Sequence, residues 1–524
     1  MRTLQRLNVG AFLCLLPLLP ISLRLGYLQI VRHDAYSSQV DSSTARDILV
    51  TIPRGRIMDR RGTVLAQSLP VTSCFLDRVA FLRLPRGRER YLAPLADALG
   101  LRHGELEAKL SAQSRNVWLK RDLSPEEIRK VWDLKNPRRT AKKKGKKRLP
   151  PFIWVGMHTD ERRYYPNGPL ARSILGTVNA EGRGGSGLEY VFDGQLGERS
   201  IPVRLTLDGY GRPIVEERRE EVPPPPDLRL TIDRTIQFFA EQALDSAIRR
   251  NRAKKGSILV QDPKTGEILA VAVWPRTVLR NHAVQDVYEP GSTFKLLTAV
   301  AVIESGVLRP KERIYCEQGK WAMTPEKTIR DHDKHEFLGL AEIIQHSSNI
   351  GSAKLGLRLG AGTFLRYCKL FNFGYKSGIP LPGESRGLLP EAPTMRDMKL
   401  ANAAFGQGIA VTPVQLLGAY SAIANGGRLM EPRLVLAVGD KPGRGAVSVR
   451  RVARPGTVAE VQRMLELVVE RGTGVSARIP GYRVAGKTGT AQKIDPETGL
   501  YSETDFIASF AGVLKIPYLP DLLG

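Results

Sequence analysis

Three short motifs occur in a fixed order in the C-terminal half of this 524-residue chain, and their settings constrain its fold more than any other feature. The first, Ser292–Lys295 (Ser-Thr-Phe-Lys), opens an apolar run typical of a buried helix. The second, Ser347–Asn349 (Ser-Ser-Asn), lies in a helix-rich middle, and the third, Lys487–Thr490 (Lys-Thr-Gly-Thr), follows a strand-like segment. Strands from both ends of the domain around a helical middle predict one antiparallel sheet covered by helices.

The first motif combines a nucleophilic side chain with a basic one. Ser292 and Lys295 are three residues apart, so on a helix their side chains share one face. A serine hydroxyl becomes an effective nucleophile when a base removes its proton, and a lysine serves as that base only when neutral. Burial and a second cation, for which Lys487 is the candidate, both lower the pKa of a lysine. The spacing therefore predicts Ser292 as the nucleophile and Lys295 as its base.

The other two motifs supply further groups that acyl transfer requires. The hydroxyl of Ser347 suits proton relay, and the amide of Asn349 suits orienting a substrate or Lys295. Glycine in the third motif lets a substrate backbone approach the strand, and its lysine and threonines suit a terminal carboxylate. The backbone N–H groups of Ser292 and Thr490 are expected to form an oxyanion hole. The predicted site has the catalytic residues Ser292, Lys295, Ser347, Asn349 and Lys487 and the substrate-binding residues Thr488, Gly489 and Thr490, with no metal and no cofactor.

Taken singly, each motif also has a structural interpretation. Lys295 alone fits a solvated helix residue, Ser347–Asn349 a helix cap, and Lys487–Thr490 a turn. The order and the settings of the three motifs together favour the catalytic interpretation.

The length of the chain exceeds what one hydrophobic core usually serves, which predicts at least two globular domains. A stiff proline run at Pro223–Pro226 marks the boundary between them. Residues 32–228 alternate short apolar strands with Gly and Arg turns and carry no catalytic set, so we expect a structural role. Residues 229–524 contain all three motifs.

Local patterns predict several elements on both sides of this boundary. They are a helix from Leu123 to Trp132 with Ser124 and Glu127 as a capping box, a helix capped by Asp233 that ends near Arg250, a hairpin of strands at 257–261 and 267–271, and strands at 482–492 and 505–513.

The N-terminus carries an apolar stretch behind two arginines. A helix from Val9 to Val31 would be long enough to cross a bilayer at ~1.5 Å per residue. The preceding positive charge predicts a cytoplasmic tail at residues 1–7, a transmembrane signal anchor at residues 8–31, and export of everything that follows. A cleaved signal peptide is the alternative, although no small-x-small cleavage site follows the apolar run.

The chain is strongly basic, with a formal net charge of +26. Such a charge implies an anionic neighbour, such as nucleic acid, phospholipid headgroups or acidic wall polymers. Part of it lies in one stretch at residues 138–148, and the remainder is scattered. Because no zinc-finger, RNP or helix-turn-helix signature accompanies that stretch, we favour a solvated basic loop and predict no nucleic-acid partner.

The four cysteines show no paired spacing and do not describe a disulfide framework. Three of them lie outside the N-terminal apolar stretch, so at least one thiol is expected to be free. Residues of metal-ligand type occur between the first two motifs without a recognised spacing, which favours solvated loop residues over a zinc site. They are Cys316, Asp331, His332, Asp333, His335 and His346.

Beyond the three motifs, further stretches carry a family resemblance: Arg54-Gly55, Asp59-Arg60, Gly62, Leu65-Ala66, Gly185–Glu189 and Gly406–Pro413. Over nearly its whole length the chain resembles a class B penicillin-binding protein, the monofunctional D,D-transpeptidase family of peptidoglycan synthesis. The resemblance implies an α+β, membrane-anchored protein. It would have an extended, β-rich N-terminal pedestal or dimerisation-type domain and a penicillin-binding transpeptidase domain with an antiparallel sheet covered by helices. The sequences of these motifs resemble the septal, FtsI-like and SpoVD-like branch more than the elongation branch.

The resemblance also implies a reaction, partners and a location. Ser292 would attack the penultimate D-Ala carbonyl of a stem peptide, D-Ala would leave, and an amine of a neighbouring strand would resolve the acyl-enzyme. β-Lactams would acylate the same serine. The implied partners are a membrane glycosyltransferase of the FtsW/RodA type and other division proteins. The implied location is the inner (cytoplasmic) membrane, crossed once, with the catalytic domain in the periplasm or another extracytoplasmic space.

One departure from the family keeps alternatives open. The family normally continues past the strand at 505–513 with another sheet strand and a C-terminal helix, whereas this sequence reads only to Gly524. We therefore expect a transpeptidase domain that lacks these two elements. A catalytically idle division scaffold, an elongation-type enzyme, and a β-lactamase or β-lactam sensor are the alternatives. The long pedestal and the retained anchor favour a transpeptidase over the last of these.

Overall fold

The computed structural model describes residues 18–35, 45–84, 88–111, 113–137, 150–207, 213–218, 222–276, 280–325, 327–494 and 501–515. Three predicted features lie outside these ranges: the cytoplasmic tail with the first part of the anchor, the basic stretch at 138–148, and the residues after 515.

The helices of the described residues are α1 (Leu18–Gly26), α2 (Arg78–Leu82), α3 (Leu92–Leu99), α4 (His103–Leu110), α5 (Pro125–Lys135), α6 (Arg172–Leu175), α7 (Gly187–Val191), α8 (Asp193–Leu196), α9 (Arg234–Asn251), α10 (His282–Gln285), α11 (Lys295–Ser305), α12 (Leu340–Gln345), α13 (Asn349–Leu370), α14 (Asp397–Ala403), α15 (Pro413–Ala424) and α16 (Pro455–Arg471).

The strands are β1 (Ala45–Ile52), β2 (Ile57–Met58), β3 (Val64–Asp77), β4 (Asn116–Lys120), β5 (Val155–Tyr164), β6 (Arg199–Leu207), β7 (Pro213–Arg218), β8 (Leu228–Leu230), β9 (Gly256–Gln261), β10 (Ile268–Trp274), β11 (Ile314–Tyr315), β12 (Lys320–Thr324), β13 (Lys327–Arg330), β14 (Phe337–Leu338), β15 (Arg428–Met430), β16 (Val435–Val438), β17 (Lys441–Pro442), β18 (Ser448–Arg451), β19 (Arg483–Ile494) and β20 (Tyr501–Lys515).

Part of the predicted anchor lies within the described residues. Helix α1 is followed directly by a π-helical turn, Tyr27–Val31. Among the helices that the structure describes, none has both the length and the apolar character needed to cross a bilayer.

The chain divides into two compact units, and one of the breaks between them falls within the predicted proline boundary. Most of the predicted pedestal, residues 55–197, belongs to the unit that contains the three motifs. One unit takes Met1–Arg54 and Glu198–Pro225, and the other takes Gly55–Gly197 and Pro226–Gly524. In the first unit, β1, β6 and β7 form an antiparallel sheet with β6 in the centre.

In the second unit, one sheet joins strands from widely separated parts of the sequence. Its order is β17-β16-β8-β2-β3-β4, and β5 also pairs with β3. Strand β8 pairs in parallel with β2 and antiparallel with β16. Ile57 of β2 and Leu228 and Leu230 of β8 are fully buried in one hydrophobic cluster, and Val435 and Val438 of β16 pack against it. These three strands therefore share a core.

Between residues 32 and 228 the sequence predicts mainly strands, but helices α2–α8 also lie in this range. The region therefore contains more helix than the sequence predicts, and it is mixed α/β. Helices as short as α3 and α4 are marginal by themselves and gain stability from packing. Leu92, Leu95 and Leu99 of α3 are buried in a cluster with Trp154, which lies more than fifty residues later in the sequence.

Several local predictions are confirmed. Ser124 and Glu127 form the predicted capping box of α5, each side chain accepting a hydrogen bond from the backbone of the other. Asp233 caps α9 by accepting from the backbone N–H groups of Thr235 and Ile236. Strands β9 and β10 form the predicted hairpin, and β19 and β20 are the predicted strands at the end of the domain.

The prediction of one antiparallel sheet in residues 229–524 is wrong for the described residues. The β9–β10 and β19–β20 pairs are separate antiparallel ladders, and no described strand pairs with the other edge of β9 or of β20. Helix α15 packs against both strands. Its Ser421 hydroxyl donates a 2.7 Å hydrogen bond to Gln261 of β9.

Helix α11 is buried on all sides, as its apolar sequence predicts. Each residue from Lys295 to Val302 is buried. The helix belongs to the largest hydrophobic cluster, which also contains Leu355 of α13, Tyr420 of α15 and Val468 of α16. A densely packed core of this kind fixes the start of α11, where the first motif lies.

Candidate active site

Ser292 lies in a tight turn that leads into helix α11. Gly291–Phe294 is a 3₁₀ turn, and the helix begins at Lys295. Thr293 Oγ1 donates to the carbonyl oxygen of Pro290 at 2.7 Å, and the Tyr420 hydroxyl donates to the carbonyl oxygen of Thr293 at 2.9 Å. Thr293 and Phe294 are buried, whereas the side chain of Ser292 is half-buried. The hydroxyl of Ser292 therefore lies at the edge of the core.

The side chain of Lys295 connects the first two motifs. Its Nζ donates to the carbonyl oxygen of Ser347 at 2.6 Å, to Ser347 Oγ at 3.1 Å and to Asn349 Oδ1 at 2.8 Å. Ser347 Oγ donates in turn to Ser292 Oγ at 2.9 Å. The structure therefore brings Ser292, Lys295, Ser347 and Asn349 into one hydrogen-bonded network.

The electrostatic setting of Lys295 favours its neutral form. The side chain is fully buried. Burial, together with the positive charge of Lys487, holds the pKa of Lys295 well below the usual lysine value, while the carboxylate of Asp331 acts in the opposite direction. Burial also lowers the pKa of Lys487 to about 7. The charge of Lys487 lowers the pKa of Lys295, which is the direction that the sequence predicts.

The second motif depends on an unusual backbone conformation. Ser347 has a φ of 62°, in the left-handed region that residues other than glycine rarely adopt. It lies between the ends of α12 and α13 and turns both its carbonyl oxygen and its hydroxyl to Lys295. Asn349 Nδ2 donates to the carbonyl oxygen of Arg330 at 3.0 Å, which leaves Oδ1 facing Lys295.

The third motif lies on β19, against the turn that holds Ser292. Gly489 is buried, and a Cβ atom there would lie 2.9 Å from the carbonyl oxygen of Pro290 and 2.9 Å from Thr293 Cγ2. Only glycine permits this close approach of the strand to the nucleophile turn. On the same strand Lys487 is fully buried, Thr488 is half-buried and Thr490 is exposed.

Three residues of the site are not assigned to it by sequence reasoning. Thr473 accepts a hydrogen bond from Lys487 Nζ at 3.3 Å, and its Oγ1 lies 2.7 Å from Thr488 Oγ1. The Gly-Thr-Gly triplet at 472–474, directly after helix α16, is the signal that could have identified it. Gly406 accepts a hydrogen bond from the backbone N–H of Gly291, next to the nucleophile. Asp331 contacts the start of α13.

Asp331 is one of the residues of metal-ligand type between the first two motifs. Both carboxylate oxygens of Asp331 accept hydrogen bonds from the start of α13. In the parts of the chain that the structure describes, no three His, Cys, Asp or Glu side chains come together as metal ligands do.

Cys74, Cys316 and Cys368 are free and buried, which confirms that at least one thiol is unpaired.

The arrangement is suited to acyl transfer through a serine. It combines an accessible hydroxyl, a buried amine that loses its proton readily, a second hydroxyl between them, and a cationic strand edge. A neutral amine that is linked to a serine through a second hydroxyl can accept the proton of that serine and so activate it for attack on a carbonyl.

Two family models match the chain. The penicillin binding protein transpeptidase domain matches residues 256–517, and the penicillin-binding protein dimerisation domain matches residues 50–230. The first match contains all three motifs.

This chain is also similar to individual proteins over most of their length. The chain is 32% identical to the peptidoglycan D,D-transpeptidase FtsI of Escherichia coli K12, covering 96% of this chain and 84% of that protein. It is 31% identical to stage V sporulation protein D of Bacillus subtilis, covering 94% and 76%. Among solved structures, penicillin binding protein 3 of Mycobacterium tuberculosis complexed with ampicillin matches with a TM-score of 0.62 and 26% identity, covering 88% and 86%. This chain therefore belongs to the class B penicillin-binding proteins and is a serine-type peptidoglycan D,D-transpeptidase.

Proposed function

We propose that this protein cross-links peptidoglycan stem peptides through an acyl-enzyme on Ser292 during septal wall synthesis. The observation that carries the proposal is the hydrogen-bonded series Ser292 Oγ, Ser347 Oγ and Lys295 Nζ, with steps of 2.9 and 3.1 Å, which ends in a fully buried amine. A buried amine of lowered pKa beside serine hydroxyls is a pairing that activates a serine without histidine.

In the first half-reaction, Ser292 Oγ attacks the carbonyl carbon of the penultimate D-Ala, and its proton passes to neutral Lys295, directly or through Ser347. When the tetrahedral intermediate collapses, the D-Ala–D-Ala amide bond breaks. The proton then moves from Lys295 to the departing amine, and an ester on Ser292 remains.

In the second half-reaction, an amine from a neighbouring strand attacks the ester carbonyl and gives its proton to Lys295. The ester C–O bond breaks, the new amide is released, and Ser292 Oγ takes the proton back. Lys295 therefore alternates between base and acid, and a pKa far below the usual lysine value suits both tasks.

The third motif is proposed to hold the donor peptide. Lys487 and the hydroxyls of Thr488 and Thr490 would bind its terminal carboxylate, and Gly489 would let its backbone lie close to β19. The backbone N–H groups of Ser292 and Thr490 are proposed as the oxyanion hole. Asn349 is proposed to orient Lys295, because its Oδ1 lies 2.8 Å from Lys295 Nζ.

The finer parts of the assignment belong to the same proposal. Likeness to FtsI and to stage V sporulation protein D supports the septal branch over the elongation branch. The structure of the mycobacterial relative complexed with ampicillin supports β-lactam binding by this chain, and acylation of Ser292 by β-lactams is part of the proposal. The apolar stretch behind two arginines supports a signal anchor at residues 8–31, with residues 32–228 as pedestal and 229–524 as transpeptidase domain outside the membrane. A membrane glycosyltransferase of the FtsW/RodA type and other division proteins are the proposed partners.

Labelling with a fluorescent penicillin tests the central claim. We expect stable covalent labelling of the wild type and none of Ser292→Ala. Ser305→Ala is the matched control, because Ser305 ends the helix that follows Ser292 and its Oγ donates to backbone carbonyl oxygens of that helix. A folded wild type without label would contradict the proposal and favour an idle scaffold. Rapid loss of the label through hydrolysis would favour a β-lactamase.

A further inference from the structure

The carboxylate of Asp331 lies at the N-terminus of helix α13, the helix that begins with the second motif. One oxygen, Oδ1, accepts from the backbone N–H of Asn349 at 2.5 Å and from that of Ile350 at 2.9 Å. The other, Oδ2, accepts from Ser348 Oγ at 2.5 Å. Both oxygens are therefore engaged with the first residues of α13, where backbone N–H groups have no partner within the helix.

Arg330, the residue before Asp331, makes a further contact with Asn349. The carbonyl oxygen of Arg330 accepts from Asn349 Nδ2 at 3.0 Å. Residues 330 and 331 thus hold both the backbone and the side chain of Asn349, and Ser348 as well. Ser347, which precedes these residues, turns its carbonyl oxygen and hydroxyl to Lys295.

We propose that Asp331 is a positioning residue for the acyl transfer, which fixes the start of α13 so that Ser347 and Asn349 present their oxygen atoms to Lys295. This role rests on the proposed function of Ser292 and Lys295. Asp331 itself touches neither of these residues through a hydrogen bond, and it acts through the backbone of α13.

The charge of Asp331 adds a second effect. The charged groups that act on Lys295 are Asp331 and Lys487, and they act in opposite directions. The uncharged oxygens of Ser347 and Asn349 accept from its Nζ. Removing the negative charge would therefore lower the pKa of Lys295 further and leave the lysine neutral at more acidic pH.

Two substitutions separate the charge from the geometry. In Asp331→Asn the amide oxygen can still accept from the N–H groups of Asn349 and Ile350, and the amide nitrogen can donate to Ser348 Oγ, so the contacts are retained without the charge. In Asp331→Ala all three contacts are lost. Asp333→Asn is the matched control, because Asp333 is exposed and pairs with the exposed His332.

The test measures the acylation rate of the full chain by a fluorescent penicillin as a function of pH, together with thermal unfolding. We expect Asp331→Ala to slow acylation about 100-fold, because small displacements of catalytic groups have effects of this size. Asp331→Asn should keep most of the rate at neutral pH, with the acidic limb of its pH profile moved to lower pH. Asp333→Asn should match the wild type.

Three outcomes would overturn the proposal. Asp331→Ala with the wild-type rate would show that the contacts do not position the motif. Asp331→Asn with an unchanged unfolding temperature that loses most of its rate at neutral pH would show that the retained contacts do not position the motif. This second variant decides the case if Asp331→Ala does not fold. A folded wild type that is not labelled would contradict both this proposal and the proposed function. The other two outcomes contradict only the role of Asp331, so the two kinds of failure are distinguishable.

Discussion

The carbonyl oxygen of Ser347 accepts a 2.6 Å hydrogen bond from Lys295 Nζ, the shortest contact of that amine. This acceptor belongs to the backbone, so no substitution of the Ser347 side chain removes it. It faces the amine because Ser347 adopts a left-handed conformation, with a φ of 62°. The position of the proposed base and the function of the Ser347 hydroxyl can therefore be separated experimentally.

Replacing Ser347 tests the proposed proton relay. Ser347→Ala and Ser347→Gly both remove the hydroxyl and retain the carbonyl contact, so we expect acylation by penicillin to fall by roughly 10²–10⁴-fold in both. Ser347→Gly should be about 1 kcal/mol more stable than Ser347→Ala, because glycine adopts positive φ without a steric cost. Acylation kinetics and chemical denaturation check the two effects. Equal rates in the wild type and both variants would exclude the relay.

Replacing Lys487 tests the cost of a buried cation. In the unfolded chain Lys487 has the usual lysine pKa, whereas burial lowers it to about 7 in the folded protein. Between these values the unfolded state binds more protons, so the contribution of Lys487 to stability is poorest below pH 7 and improves as pH rises toward 10. We expect Lys487→Met to raise the free energy of unfolding at pH 6 by roughly 3 kcal/mol, with a smaller gain at pH 9, and to be acylated poorly.

The control for Lys487→Met is Lys264→Met, at an exposed position in the turn between β9 and β10. Urea denaturation at several pH values provides the measurement. A loss of stability at pH 6 in Lys487→Met, or the same gain in Lys264→Met, would show that the buried charge is not the source of the effect.

Two glycines of one loop provide a matched test of the nucleophile turn. Gly406 and Gly408 both have positive φ, of 87° and 74°. A Cβ at Gly406 would lie 2.1 Å from the carbonyl oxygen of Gly291, whereas one at Gly408 would have no neighbour within 4 Å. We expect Gly406→Ala to cost about 3 kcal/mol and to slow acylation about tenfold or more, because Gly291 must move. Gly408→Ala should cost about 1 kcal/mol from backbone strain alone. Similar effects of the two substitutions on acylation would contradict this account.

Substitution of two adjacent arginines on β5 tests how much a buried ion pair of the N-terminal region contributes to stability. Arg163 and Glu189 are almost fully buried, and their side chains approach to 2.7 Å. Arg162 instead pairs with Asp122 at the surface. Removing one partner of a buried pair leaves an uncompensated charge, so Arg163→Ala should cost about 3–5 kcal/mol. Arg162→Ala should cost at most about 1 kcal/mol. Thermal unfolding of the two variants makes the comparison, and equal losses would show that burial of the pair is unimportant.

Local features of the structure were predictable because neighbouring residues decide them. The capping box of Ser124 and Glu127, the cap at Asp233 and the β9–β10 hairpin depend on side chains within a few residues of each other. The burial of α11 followed from its apolar composition. Helices α3 and α4 were missed because contacts with distant residues such as Trp154 stabilise them.

The sequence by itself determined the family, the three motifs and the kind of chemistry they support, because these depend on residue types and their order along the chain. Only the tertiary structure decided which atoms meet. It brought Asp331 to the start of α13 and Thr473 to Lys487, and it separated β9 and β20 into two ladders. It also gave Ser347 the backbone conformation that presents a carbonyl oxygen to Lys295. Such contacts join residues far apart in sequence, so they depend on packing of the whole domain rather than on any local pattern.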